Sequence, residues 1–217
     1  MELLVEFADI FSTSDLDLGC TEMVEHNIDA GDHRPIKQTA RRMATAQRQE
    51  IEKVMENLRS QGVIEKSSSH WTSAVVLVRK KDGSVRCCVD YRVLNEVTVK
   101  DAYPLPRTDV TLDALLGAKW SSTLDMKAGY HQVNVAEKDR ENTAFCYGRG
   151  LWQFKVMPFG LFNAPATFER LMDRVLEGLH WQTALIYLDD VIVFGQTFDK
   201  ELKRLSELLN RIRAAHL

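Results

Sequence analysis

Ala184-Leu185-Ile186-Tyr187-Leu188-Asp189-Asp190-Val191-Ile192-Val193-Phe194 decides the fold. Two aliphatic, β-prone runs flank a pair of adjacent acids, which predicts two buried strands joined by a doubly acidic bend. Asp is common in turns, but a tight hairpin usually carries Gly or Asn at a central position, and neither is present. Buried strands do not welcome two neighbouring charges either. Asp125 is a third acid of this kind: it ends an apolar strand predicted over Ser121 to Asp125, shortly before a turn at Gly129. If these strands are neighbours, three carboxylates converge. Two like charges ~4 Å apart at an effective dielectric of ~20 repel by ~4 kcal/mol, and a cation relieves that repulsion. Hard oxygen ligands favour Mg2+, bound through one or two carboxylates plus substrate phosphates. Two such ions ~3.5–4 Å apart can activate a 3′-hydroxyl and stabilise leaving pyrophosphate. No Ser-His-Asp or Cys-His arrangement suggests a protein nucleophile.

Working outward, the acidic bend is followed by a helix starting near Thr197, with Phe198, Leu202, Leu205, Leu209 and Ile212 inward. It is preceded by a helix opening near Pro165, where a missing N–H costs nothing; Phe168, Leu171, Met172, Val175, Leu176 and Leu179 form its stripe. A short helix is predicted from about Thr108 to Leu116, behind the break at Pro104 and Pro106. Further back, Ala74 to Val78 and Val85 to Tyr91 flank the turn signal Asp82-Gly83, a hairpin with a cationic tip suited to closing over an anion. Ile51, Val54, Met55 and Leu58 give one helical stripe that stops near Gly62. Residues 1–48 show little periodicity and read as an arm or linker.

Composition narrows the class. Apolar residues make up 45% and charged residues 27%, as in ordinary soluble domains, and no apolar run approaches the ~20 residues of a membrane helix. The acidic amino terminus does not fit a signal peptide. Cys20, Cys87, Cys88 and Cys146 contain no C-x-x-C pair, and the six His show no metal-ligand spacing, so a zinc site or disulfide framework is not indicated. The net charge of −3 argues mildly against phosphate binding. Local clusters run the other way: Arg34, Lys37, Arg41, Arg42 and Arg48, then Arg79, Lys80, Lys81, Arg86 and Arg92.

Four ordered segments carry a specific resemblance. Tyr187-Leu188-Asp189-Asp190 is the Tyr-x-Asp-Asp signature of reverse transcriptases. Ser122-Thr123-Leu124-Asp125-Met126-Lys127-Ala128-Gly129-Tyr130-His131-Gln132 resembles the segment of gypsy-class enzymes that holds the first metal-binding Asp. Met157-Pro158-Phe159-Gly160-Leu161-Phe162-Asn163-Ala164-Pro165-Ala166-Thr167-Phe168 resembles their template- and nucleotide-facing segment, and Arg86 to Asn95 their fingers strand. The chain is thereby identified as similar to the reverse transcriptase of gypsy-class long-terminal-repeat retrotransposons.

The resemblance implies an α+β polymerase right-hand fold, with an antiparallel palm sheet backed by helices and a β-rich fingers part. Fingers would occupy 49–99 and 133–162, palm 100–132 and 163–217, with no thumb. Asp125 and Asp189 would hold two Mg2+ ions (Mn2+ being possible), Asp190 would support them, and the Met126 backbone would ligate the nucleotide-side ion. Lys80 and Arg86 would grip the triphosphate, with Lys81 or Arg79 as substitutes for Lys80. Tyr130 would be the steric gate against a ribose 2′-hydroxyl, with core packing as its alternative. Phe159 and Gly160 would face the nucleotide or template; Tyr187, Leu188 and Met157 would lie near primer and template. Implied partners are an RNA or DNA template with its primer, dNTP, and the remaining Pol domains (thumb, ribonuclease H, integrase), with no membrane. The expected location is cytoplasmic or nuclear, within a retroelement particle if the element is intact. Lys127-Ala128 and Lys200-Glu201 depart from the family pattern. The other readings are a catalytically silent, retroelement-derived nucleic-acid-binding protein and a viral RNA-dependent RNA polymerase; Tyr130 and Tyr187 speak against the latter, which usually has Gly in those places.

Overall fold

A computed structural model describes residues 2–14, 18–41, 44–79, 85–104, 115–147, 150–179, 183–187 and 190–217. The chain divides into two compact units, each built from separate stretches: residues 1–24, 102–133 and 165–217, and residues 25–101 and 134–164.

The first unit is built on a three-stranded antiparallel sheet. Its strands are β5 (Trp120–Asp125), β9 (Ala184–Tyr187) and β10 (Asp190–Gly195), in the order β5-β10-β9. Ala184, Leu185 and Ile186 are buried, as are Val191 and Val193 on β10. β5 lies at the sheet edge, and Ser121, Thr123 and Asp125 are exposed. The expectation of an apolar strand ending at Asp125 is corrected here: an edge strand covered on one face needs apolar residues only on that face.

Two helices of this unit have apolar stripes that pack inward. On α4 (Ala164–Val175), Phe168, Leu171 and Met172 are fully buried. The predicted stripe runs on through Leu176 and Leu179, but the helix stops at Val175 and 176–179 form a turn that includes Gly178 at φ +81°. On α5 (Phe198–Ala214), Leu205, Leu208, Leu209 and Ile212 are buried. Its first turn is capped by Thr197, whose hydroxyl accepts from the Lys200 N–H at 3.3 Å. Buried Glu201 accepts the Ser122 hydroxyl at 2.6 Å, which ties α5 to β5. Most of the helix expected over 108–116 lies outside the described residues; 115–117 form a turn.

The second unit carries a five-stranded mixed sheet in the order β2-β8-β7-β3-β4. It comprises β2 (Ile64–Lys66), β3 (Ser73–Arg79), β4 (Val85–Asp90), β7 (Phe145–Tyr147) and β8 (Gly150–Phe154). β3 and β4 pair antiparallel from Ala74↔Asp90 to Arg79↔Val85, the hairpin the sequence predicts; its turn lies outside the described residues. Two helices accompany the sheet. On α2 (Thr45–Ser60), Ile51 and Met55 are buried; α3 (Arg92–Val97) buries Leu94. Tyr91 is fully buried and donates its hydroxyl to the Thr143 carbonyl at 2.8 Å. The remaining elements are α1 (Glu2–Glu6), β1 (Thr21–His26), β6 (Val133–Val135) and short 3-10 turns. The first 48 residues, expected as an arm, contribute Phe7, Thr21, His26 and Ile28 to buried positions.

Candidate active site

Antiparallel pairing of β5 with β10 sets Asp125 directly opposite Asp190. Residues so paired have Cβ atoms about 4.5–5.5 Å apart and project from the same face of the sheet. Both aspartates are exposed. Their neighbours explain why that face is open: Val191 and Val193 turn to the covered face, as does Ser122, which bonds to α5. Among the described residues, neither carboxylate has a hydrogen-bonding or ion-pairing partner. Two adjacent acids therefore share one open strand end with no neutralising partner among the described residues. Asp189 and Leu188 lie outside the described residues. Tyr187 ends β9, with its Cα opposite that of Asp190.

The loop after Asp125 is sharply bent. Met126 is buried, and its carbonyl accepts the Gly129 N–H at 3.0 Å. A carbonyl oxygen has a second lone pair, so a further ligand is still possible there. Ala128 adopts a left-handed conformation at φ 48°, ψ 42°, uncommon for a residue with a Cβ and costing roughly 1–2 kcal/mol. Gly129 follows because α4 comes close: a Cβ there would sit 2.9 Å from the Phe168 ring. Tyr130 is 8% exposed and its ring lies 5.5 Å from that of Phe168. Gln132 donates to the Lys127 carbonyl at 3.0 Å and closes the loop.

Behind the loop, α4 carries Glu169, which is 3% exposed. Burial pushes its carboxyl up to about 7, and the Asp173 charge one turn on adds to the effect. Asp173 itself accepts the Tyr103 hydroxyl at 2.5 Å. Burial also pushes His131 down to about 4, so it is neutral at pH 7.

The other expected site residues lie in the second unit. Arg86 occupies β4 opposite Val78, whereas Lys80 falls outside the described residues. Met157 is fully buried, Phe159 is 40% exposed and Gly160 is exposed at φ +95°. A side chain is disfavoured at that φ, so glycine is required by the turn itself. Two of the predicted basic residues are not free for phosphate. Arg92 donates to both Asp90 oxygens at 2.7 Å and Arg41 donates to one at 2.9 Å. Asn95 and Asn163, which nothing in the sequence singles out, fix main chain: Asn95 donates to the Gly160 carbonyl and accepts the Phe162 N–H, and Asn163 donates to the Val99 carbonyl and accepts the Asp101 N–H. Only their position in a quoted motif could have marked them.

Among the described residues no group of three His, Cys, Asp or Glu side chains is arranged to hold a metal ion. The Asp125–Asp190 pair supplies hard oxygen donors that fit a divalent cation. No described helix is long and apolar enough to cross a membrane.

Residues 78–217 match the family described as reverse transcriptase (RNA-dependent DNA polymerase). The chain belongs to this family. Among its relatives, the retrovirus-related Pol polyprotein from transposon opus of Drosophila melanogaster is 34% identical over 99% of this chain and 22% of the polyprotein. That from Drosophila transposon gypsy is 32% identical over 95% and 21%. The fold is the polymerase right hand. The structure of the foamy viral protease-reverse transcriptase in complex with RNA/DNA hybrid superposes with a TM-score of 0.90 at 24% identity, covering 99% of this chain and 29% of that one. The chain thus spans about a fifth of the length of the transposon polyproteins it matches. The reverse transcriptase family is one of polymerases that use divalent metal ions.

Proposed function

We propose that this chain is the fingers-and-palm portion of an RNA-directed DNA polymerase within a larger Pol polyprotein. It would transfer dNMP from dNTP to a primer 3′-hydroxyl under the direction of a template. The observation that carries this reading is the register pairing of Asp125 with Asp190 on an open strand end. The unit holding that pair is the palm in this reading, and the unit with the five-stranded sheet is the fingers.

Asp125, with Asp189 and Asp190, would hold Mg2+ or Mn2+, and the Met126 carbonyl would offer a further ligand. When bound, such ions favour the ionised 3′-hydroxyl and neutralise charge on the reacting phosphates. The remaining tasks belong to the chain. Tyr130, wedged against Phe168, would exclude the ribose 2′-hydroxyl. Gly160, lacking a side chain, would let the backbone of its turn approach a nucleotide, beside Phe159. Arg86 and Lys80 would bind the triphosphate, while Tyr187, Leu188 and Met157 would border primer and template. The working location is a retroelement particle in cytoplasm or nucleus.

The test is extension of a primed RNA template by the polyprotein that contains this chain, supplied with dNTP or with rNTP. Incorporation of dNTP that Asp125→Asn abolishes is the expected result. A polyprotein that binds the template but never extends the primer would instead identify a silent nucleic-acid-binding protein. Extension by Asp125→Asn at the unsubstituted rate would remove Asp125 from the mechanism.

A further inference from the structure

In the second unit a polar cavity of about 490 Å3 opens between the loop 27–31 and the 3-10 turn Glu137–Thr143. That volume lies within the range of small-ligand sites. Its charge is one-sided: Asp29, Asp139 and Glu141 line it against a single ammonium, Lys138. Acidic clusters are common on solvated surfaces, so charge alone decides nothing. The way two of the acids are held, and the buried residues beside them, do. Asp139 accepts the Ile28 N–H at 3.0 Å and Asp29 accepts the Gly31 N–H at 2.9 Å, each through one oxygen. The main chain thus fixes both carboxylates, and the second oxygen of each meets no donor among the described residues. Arg140, the neighbouring guanidinium, is engaged elsewhere: it donates to the Val135 carbonyl at 3.3 Å and stands 4.0 Å from Glu65. Asn142 is only 9% exposed, and its side-chain amide lines the cavity with no hydrogen-bonding partner among the described residues. A buried polar group left unpaired costs roughly 1–3 kcal/mol. Trp71, 7% exposed, brings indole surface to the same cavity.

We propose that this cavity receives an arginine side chain presented by a basic segment of another protein. Asp139 and Asn142 stand three residues apart in a 3-10 turn, where side chains at i and i+3 lie one above the other. A guanidinium has five N–H donors in a planar fork, so it can serve the free Asp139 oxygen and the Asn142 carbonyl together. It is also more weakly hydrated than an ammonium and loses less on leaving water. An indole such as that of Trp71 is the ring best suited to lie against a cation. A divalent metal fits less well. Mg2+ demands near-octahedral oxygen geometry, and among the described residues no three Asp, Glu, His or Cys side chains are grouped to supply it. One guanidinium neutralises only part of the acidic excess. Asp29 and Glu141 are exposed at the rim, placed to meet a neighbouring base of the same segment, which a free amino acid does not carry. The inference does not depend on the polymerase reading.

The test is fluorescence anisotropy with the 217-residue chain and a labelled short peptide that carries two arginines among glycines and serines. A counterpart with citrulline in place of arginine keeps the shape and loses the charge, and should bind at least about tenfold more weakly. A lysine counterpart should fall between the two. Asp139→Asn still accepts the Ile28 N–H through its amide oxygen and should weaken the arginine peptide about tenfold. Asn142→Leu keeps the volume without the amide and should weaken it about fivefold. Glu207→Gln makes the same change of charge on the exposed surface of α5 and should leave affinity within about twofold. Equal binding of the arginine and citrulline peptides, equal losses from Asp139→Asn and Glu207→Gln, or no binding by the unsubstituted chain would each overturn the inference. Free arginine binding as tightly as the peptide would overturn the basic segment as occupant. Asp125→Asn should leave peptide binding unchanged. Failure of the polymerase reading therefore appears in primer extension, and failure of the arginine site appears here.

Discussion

Asp90 and Asp125 each close a β-strand and look alike in the sequence, yet their surroundings assign them opposite tasks. Asp90 ends β4 in the second unit. Its side chain is 11% exposed and is held by Arg92 and Arg41. Hydrogen bonds from Arg92, reinforced by the charges of Arg92 and Arg41, keep its carboxyl below the usual carboxylate range, against a smaller opposing effect of burial. Asp125 ends β5 in the first unit and faces a second carboxylate, Asp190, with no cation among the described side chains. Satisfied charges make structure. An unsatisfied like-charged pair lowers stability and persists where a ligand completes it. Glu169 is a third case: it is buried without an ion-pair partner among the described residues, and burial, with the nearby Asp173 charge, raises its pKa.

The sharpest way to break this comparison is to neutralise each strand-end acid in turn. In the polyprotein, Asp125→Asn should reduce primer extension by about 100- to 1000-fold or more, the scale on which removal of a positioned charge-stabilising group acts. Asp90→Asn should leave extension within about threefold. Comparable losses from both would mean that the two strand ends do not differ in task.

Tyr130 sharpens what the open end is for. Tyr130→Ala should cost about 3 kcal/mol in a denaturant melt, because a buried aromatic is removed from beside Phe168. In the polyprotein it should also raise incorporation of rNTP relative to dNTP. Lost stability with an unchanged sugar preference would leave Tyr130 as a packing residue alone.

Glu169 and Asp90 should respond to pH in opposite senses. A raised folded pKa gives stability that is fully present below the unfolded value of 4.5 and is lost as pH rises through about 7. Glu169→Gln should therefore stabilise the chain by about 1–3 kcal/mol at pH 8, with little effect near pH 4. Thermal melts of both proteins across that range check it; a gain that does not depend on pH would mean that Glu169 is not held protonated.

For Asp90 the folded pKa is depressed, so its contribution is present above the unfolded value of 3.8 and disappears as pH falls through the folded one. Asp90→Asn should cost about 1 kcal/mol at pH 7, the scale of a partly exposed ion pair. Raising salt should shrink that difference, as should acidification below the carboxylate range. A difference unaffected by either would point to packing in place of charge.

Local elements were largely legible because they follow from local geometry. The stripes at Ile51 to Leu58 and Leu205 to Ile212 encode helices through the 3.6-residue period; Phe198, expected inward, is instead 49% exposed in the first turn of α5, where its ring meets only the edge of exposed Trp120 among the described aromatic rings. The runs around Asp82-Gly83 and around the acidic bend encode hairpins through strand propensity. Two boundaries misled for the same reason. Leu176 and Leu179 continue a stripe past the helix end, since being buried does not require being helical. β5 needed no apolar residues on its open face.

The acidic bend, the acid at the end of β5 and the aromatic that follows it are a property of the sequence alone, since each is fixed by residue type and spacing within a few positions. Which acid meets which was decided by the tertiary structure. The β5–β10 register brings Asp190 to Asp125 across 65 residues of chain, and Arg41 reaches Asp90 across 49. The Asn95 clamp reaches Gly160 over a similar separation. Such pairings depend on loop closure, sheet order and the packing of faces distant in sequence, none of which has a local period from which it can be read.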